Sequence, residues 1–245
     1  MRPYLTVFIP AYNEAGNLAH CVLTISAKME ELGVTLEILI VNDGSTDVTP
    51  KLANELAQKY PAVRVLHHPY NRGIGAAFLT ALAEAHGEWL ILIPADLALH
   101  PDELRRYIEA APQADIVVGL RTDRSDYTML RHLVSWTNIH LIRALFRMKL
   151  RQFQYISLYR MEVLRAIKIE YWRSAFFLAE ILIKARDMGC RLVEVEIRYA
   201  PRLAGKPTGA KAILIVMTVI DIFRFWTGWM FRPKGSDPAH PGGQR

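Results

Sequence analysis

The chain has 245 residues, 51% of them hydrophobic and 22% charged, with a formal net charge of +6. That length and apolar content suffice to bury one substantial core and exclude an intrinsically disordered chain. Two isolated cysteines, Cys21 and Cys190, exclude a disulfide framework and a C-x-x-C zinc site; the positive excess suits an anionic partner such as nucleic acid, acidic lipid or a phosphorylated substrate.

Arg2 and Pro3 lead directly into LTVFIP. This apolar run is too short for a signal-peptide core and lacks a small-residue cleavage site, so a cytoplasmic location is expected. Short apolar runs without polar alternation follow at 5–9, 36–41, 63–66, 89–93 and 116–119, as suits strands covered on both faces. Helix-like stretches at 15–32, 46–59 and 73–85 separate the first four. Strand–helix alternation predicts an α/β fold: a mostly parallel, Rossmann-like sheet with right-handed crossovers and helices on both faces. Four polar loops then fall at the carboxyl edge, the usual ligand-binding edge of such a sheet. They are PAYNE, NDGSTD, HHPYNRG and PADLALHP.

The second half changes character. Residues 128–147 form an apolar, aromatic and cationic helical pattern, and 212–231 is more apolar still but interrupted by Asp221 and Arg224. No charge-free run there reaches the roughly 20 residues needed to span a bilayer. Trp226 and Trp229 suit an interfacial belt, so amphipathic helices lying in the membrane surface are expected. The Gly- and Pro-rich stretch from 233 to 245 is expected to be a disordered tail.

VFIPAYNEAGNL, ILIVNDGSTDVT and NRGIGAAFLTALAEAHGEWLILIPADLALHP resemble the nucleotide-sugar domain of family 2 glycosyltransferases. GLR at 119–121, LRHLVS at 130–135, Glu180 in AEILIKA, and PRLAGKPTG resemble the dolichol-phosphate mannose synthases and their bacterial polyprenyl-phosphate relatives. The resemblance implies a GT-A domain over residues 1–210, with a donor half at about 1–120 and an acceptor half at 121–210, followed by an interfacial helix at 211–232. It implies an inverting transfer of a hexose from a nucleotide-sugar donor to a polyprenyl phosphate acceptor, on the cytoplasmic face of the membrane. No nucleic-acid module is recognisable beside the basic charge.

Carried over to this sequence, Pro10, Tyr12 and Glu14 would line the nucleotide pocket and Asp43 would accept hydrogen bonds from the base. Gly73 and Gly75 would let the backbone pass close to the donor; GIGAAF lacks the third glycine of a dinucleotide fingerprint. Arg121, Arg131 and Ser135 would bind the lipid phosphate through guanidinium forks and a hydroxyl. Arg202 and Lys206 would close over the donor diphosphate. Asp47 is read as a donor-side residue or as a cap of the following helix.

Two stretches depart from the family pattern. The metal motif Asp-x-Asp, followed two residues later by Gln, is here Pro94, Asp96 and Ala98, so Asp96 alone would hold Mg2+ or Mn2+. Arg151 replaces an expected aspartate in RQFQYIS, and Tyr155 fills a glycine position. Two alternatives stay open: a relative that binds nucleotide-sugar or lipid phosphate without turnover or without metal, and a family 2 enzyme with a sugar hydroxyl acceptor and Glu180 as base.

Overall fold

The structure, a computed structural model, describes residues 2–97, 99–123, 129–198 and 212–231. The strands are β1 Leu5–Ala11, β2 Leu36–Asn42, β3 Val63–His67, β4 Trp89–Leu92, β5 Ile116–Arg121, β6 Ser157–Arg160 and β7 Leu192–Ile197. They form one sheet in the order β3-β2-β1-β4-β6-β5-β7, with β6 antiparallel to both neighbours and every other pairing parallel. All five apolar runs read from the sequence are strands. β6 and β7 are additional.

Successive side chains of a strand point to opposite faces, and both faces are covered. Val7, Ile9, Ile38 and Ile40 pack beneath α1 (Leu18–Glu31), α2 (Thr49–Lys59) and α4 (Leu104–Ala110), against Val22, Ile25, Ala53, Leu56 and Tyr107. Phe8, Leu39, Val41 and Leu90 face the opposite layer of α3 (Ile74–Glu84), α5 (Met129–Phe146), α7 (Phe177–Asp187) and α8 (Ala212–Met230); the short α6 (Met161–Ala166) follows β6. Phe78 of α3 is the hub of that layer. Its ring lies 6.1 Å from Phe8, 6.0 Å from Tyr159 and 5.3 Å from Phe177, in edge or tilted arrangements that ring quadrupoles favour.

α8 is half inside and half outside this layer. Ile222 and Phe225 are buried, with the Phe225 ring 5.4 Å from Phe146. Trp229 donates its indole N–H to Asp187 at 2.8 Å. The other side shows Ile213, Val216, Val219, Ile220 and Phe223 to the surroundings. Its stretch Ile213–Met230 has a mean hydropathy of 1.6, long and apolar enough by length and composition to cross a membrane. The tail expected at 233–245 lies outside the described residues.

Phe78→Ala removes the hub ring and leaves a cavity between α3 and the sheet. The expected loss is about 3–5 kcal/mol of unfolding free energy, read as a lower urea midpoint at unchanged slope. A loss below 1 kcal/mol would show that the layer closes without it.

Candidate active site

β1 has β2 on one side and β4 on the other. Strand order therefore reverses at β1, and the loops after β1 and β4 stand side by side at the carboxyl edge, where open α/β sheets preferentially hold ligands in a crevice. Tyr12 and Glu14 follow β1, and Pro94 to Leu97 follow β4. Tyr12 is 42% exposed, while Asp96 is 5% exposed. Pro10 is the penultimate residue of β1, half-buried.

The loop after β4 is a tight turn in which Leu97 N–H donates to the Pro94 carbonyl at 2.9 Å. Leu97 itself has φ +50°, a left-handed conformation costing a branched residue roughly 1–3 kcal/mol. The strain is accepted where Asp96 is presented. Beneath the turn lies Cys21, whose thiol donates to the Pro94 carbonyl at 3.7 Å. Burial first, then the carboxylates of Asp96 and Glu14, push that thiol well up from its ordinary range. Cys21 is thus a neutral, inert filler, and its surroundings report that Asp96 and Glu14 share this corner of the crevice. Cys190 is raised likewise, by partial burial and then Asp115.

On the β2 side, Asp43 is 4% exposed and holds the next loop in place. Its Oδ1 accepts from His68 Nδ1 at 2.7 Å and from Arg72 N–H at 2.9 Å, and its Oδ2 accepts from Gly73 N–H at 2.8 Å. His68 Nε2 faces the Thr80 hydroxyl at 2.9 Å. Gly44, at φ +69°, lies so close to Tyr70 that a Cβ would stand 2.3 Å from its carbonyl carbon. The β2 and β3 loops therefore form one unit. Asp47 resolves as a cap: its Oδ1 accepts from Thr49 N–H at 2.9 Å at the start of α2. Burial opposes its charge, but bonds from Thr49 and Ala15 outweigh that and hold the carboxyl below its usual value.

The two glycines have different reasons. Gly73 has φ +88° and ψ 161°, with open space where a side chain would point; this backbone region is essentially glycine-only. A Cβ on Gly75 would stand 1.8 Å from the Trp172 carbonyl oxygen. Close packing of α3 against that segment gives Gly75 a structural reason of its own.

Arg121 ends β5 at the same edge and is 6% exposed. Gln152 brackets it, accepting from Arg121 N–H at 3.0 Å and donating to its carbonyl at 2.8 Å. Arg151 donates its backbone N–H to Glu194 at 2.6 Å, and its guanidinium pairs with Glu194 and Glu196 at 3.3 and 3.4 Å. Ser135 lies half-buried on α5. Arg131 is in the first turn of α5, but its side chain, with Arg202 and Lys206, lies outside the described residues.

Glu180 is corrected outright as a base. It is fully buried, and its oxygens accept from Glu170 N–H and Tyr171 N–H, both at 2.9 Å, and from Lys184 at 2.6 Å. It holds the 168–171 segment in place. His68 and Gln152, which hold Asp43 and the Arg121 backbone, carry no signal in the sequence that singles them out.

For a divalent cation, the carboxylates near this corner are those of Asp96 and Glu14. Among the described residues no group of three or more His, Cys, Asp or Glu side chains is placed to hold a metal. Mg2+ often keeps its waters and takes only one or two protein carboxylates beside substrate phosphates, and Asp96 fits that arrangement with a bound diphosphate. It does not fit a metal held by protein alone.

Residues 6–173, more than half of the chain, match the family described as Glycosyl transferase family 2. The chain is 31% identical over 206 residues to the undecaprenyl-phosphate 4-deoxy-4-formamido-L-arabinose transferase of Edwardsiella ictaluri, covering 83% of this chain and 62% of that protein. It is 28% identical to the undecaprenyl-phosphate mannosyltransferase of Micrococcus luteus, covering 81% and 84%. The chain thus spans under two thirds of the first relative's length. In fold it resembles glucosyl-3-phosphoglycerate synthase of Mycobacterium tuberculosis (TM-score 0.71, 17% identity, 92% and 80% covered). It also resembles a mannosyltransferase of Pyrobaculum calidifontis solved with GDP-Man and Mn2+ (TM-score 0.62, 20% identity, 91% and 65% covered).

Gly75→Ala is expected to cost about 1–3 kcal/mol by forcing Trp172 away. Gly73→Ala should cost a similar amount through backbone strain alone. Urea unfolding of the two variants reads both, and a neutral Gly75→Ala would return that glycine to the donor side.

The chain belongs to glycosyl transferase family 2.

Proposed function

We propose that this family 2 glycosyltransferase moves a hexose from a nucleoside diphosphate sugar to a polyprenyl phosphate, with inversion, at the membrane surface. The observation that carries the reading is a row of groups along one sheet edge. Asp43 follows β2, Glu14 follows β1, Asp96 follows β4 and Arg121 ends β5. Neighbouring strands are about 4.8 Å apart, so β2 and β4 are roughly 10 Å apart, and β4 and β5 roughly another 10 Å. The first interval suits a nucleoside with its diphosphate, and the second leaves room for a sugar and the incoming phosphate. The names of the relatives support a polyprenyl phosphate as acceptor.

The acceptor is itself a phosphate monoester with a second pKa of about 6. It is ionised at neutral pH and needs no general base, which agrees with the engagement of Glu180 elsewhere. One oxygen of that phosphate forms the new bond to the anomeric carbon. The bond to the diphosphate oxygen breaks, and the nucleoside diphosphate leaves with the electron pair. Tyr12 and Glu14 line the donor side, and Asp43 accepts a base N–H. Arg121, held by Gln152, with Arg131 and Ser135 on α5, aligns the acceptor phosphate. Arg202 and Lys206 stabilise the departing charge. Mg2+ or Mn2+ at Asp96, when bound, would neutralise the diphosphate further.

The exposed row Val219, Ile220 and Phe223 on α8, with Leu133 and Trp136 exposed on α5, supports peripheral attachment to the cytoplasmic face. α8 is fastened along the domain at Ile222, Phe225 and Trp229, as suits a helix lying in the interface.

Nucleotide release and sugar-lipid formation from a panel of nucleotide-sugars and a short polyprenyl phosphate test the transfer. Asp96→Ala should lower turnover at least tenfold, and Arg131→Ala should chiefly raise the KM for the acceptor. Binding of donor with no turnover under any metal condition would replace the enzyme with a binding protein. For the membrane, Val219→Glu combined with Phe223→Glu should abolish flotation with anionic liposomes while the folded state persists. Unchanged flotation would move the contact elsewhere.

A further inference from the structure

The geometry points to uracil as the base of the donor, selected by Asp43 with His68 as the positioning residue behind it. This rests on the nucleoside-diphosphate-sugar reading and narrows it, because the solved relatives serve both kinds of base: one is solved with UDP and another with GDP-Man.

An ionised carboxylate offers about four lone-pair positions. On Asp43 three are occupied among the described residues: His68 Nδ1 and Arg72 N–H on Oδ1, and Gly73 N–H on Oδ2. One acceptor position is left, on Oδ2. Uracil presents a single ring N–H between two carbonyl groups, so one acceptor satisfies it. Guanine presents a ring N–H and an adjacent exocyclic NH2 as a fork, which needs two acceptors side by side. Cytosine and adenine present a ring lone pair at that position, and a carboxylate repels it.

His68 sets this count. It is 7% exposed, and the Thr80 hydroxyl at Nε2 leaves Nδ1 to carry the proton toward Asp43. The imidazole therefore fills Oδ1 and stops the carboxylate from turning a second lone pair toward the base. With Leu at position 68 the carboxylate is held by the Arg72 and Gly73 amides alone and is free to turn. With Asn there, an amide N–H stands near the place of Nδ1.

Calorimetric titration of the full chain with UDP, GDP and CDP in the presence of Mn2+ tests this without turnover. UDP is expected to bind at least about tenfold tighter than GDP, the consequence of one unpaired guanine donor, and CDP weaker still. GDP binding as tightly as UDP, or tighter, overturns the inference and leaves the donor reading intact. Failure of all three to bind overturns the donor reading itself. In His68→Leu the UDP-to-GDP ratio should shrink severalfold, whereas His68→Asn should keep it. A merely structural His68 would weaken both diphosphates equally, and an unchanged ratio in His68→Leu would remove its part in the selection.

Discussion

The contact between Phe8 of β1 and Phe78 of α3 decides where the active site can be. α1 and α2 cover one face of the sheet, and the right-handed crossover rule then lays β2 and β3 outward on one side of β1. α3 instead brings Ala77, Phe78 and Ala81 against Phe8, Leu39 and Val41 on the opposite face. The same handedness now returns the chain to the other side of β1, where β4 pairs. The adjacency of the β1 and β4 loops at the carboxyl edge is the result of that change of face. An apolar contact in the middle of the sheet thus fixes the position of polar groups at its edge.

What the sequence made legible follows from how local each signal is. β1 to β5 are runs of apolar residues with no polar alternation, and a strand covered on both faces has that pattern whatever surrounds it. β6 is four residues, SLYR, between two parallel strands. Nothing local marks it, because its antiparallel insertion depends on the path taken by 147–156. Asp43 and Asp96 were legible as carboxylates in loops following strands. The three donors that Asp43 already holds were not, since two come from the loop after β3 and one from a histidine hidden in the pair His67–His68. Glu180 shows the converse. It fits a family pattern in a helix, and Lys184 four residues on is a visible partner, but the two backbone N–H groups that consume the rest of it belong to a turn about ten residues upstream.

The two departures from the family pattern have different physical content. Pro94 and Ala98 offer no side-chain oxygen beside Asp96, so in the proposed reaction a metal there would rely on the substrate's own phosphates. Arg151 is compensated in full: the glutamates of β7 receive it, and the neighbouring Gln152 secures Arg121.

Arg151 and the two glutamates also bear on how the molecule behaves in company. β7 ends the sheet, and among the described residues no further strand pairs with its outer edge. A free edge with valines on one side is a template for a second chain. If two copies joined edge to edge with matching faces, Glu194 of one would sit beside Glu196 of the other, and like charges directly opposite disfavour the pairing. The alternation in LVEVEI thus acts as a guard against fibre-like self-association.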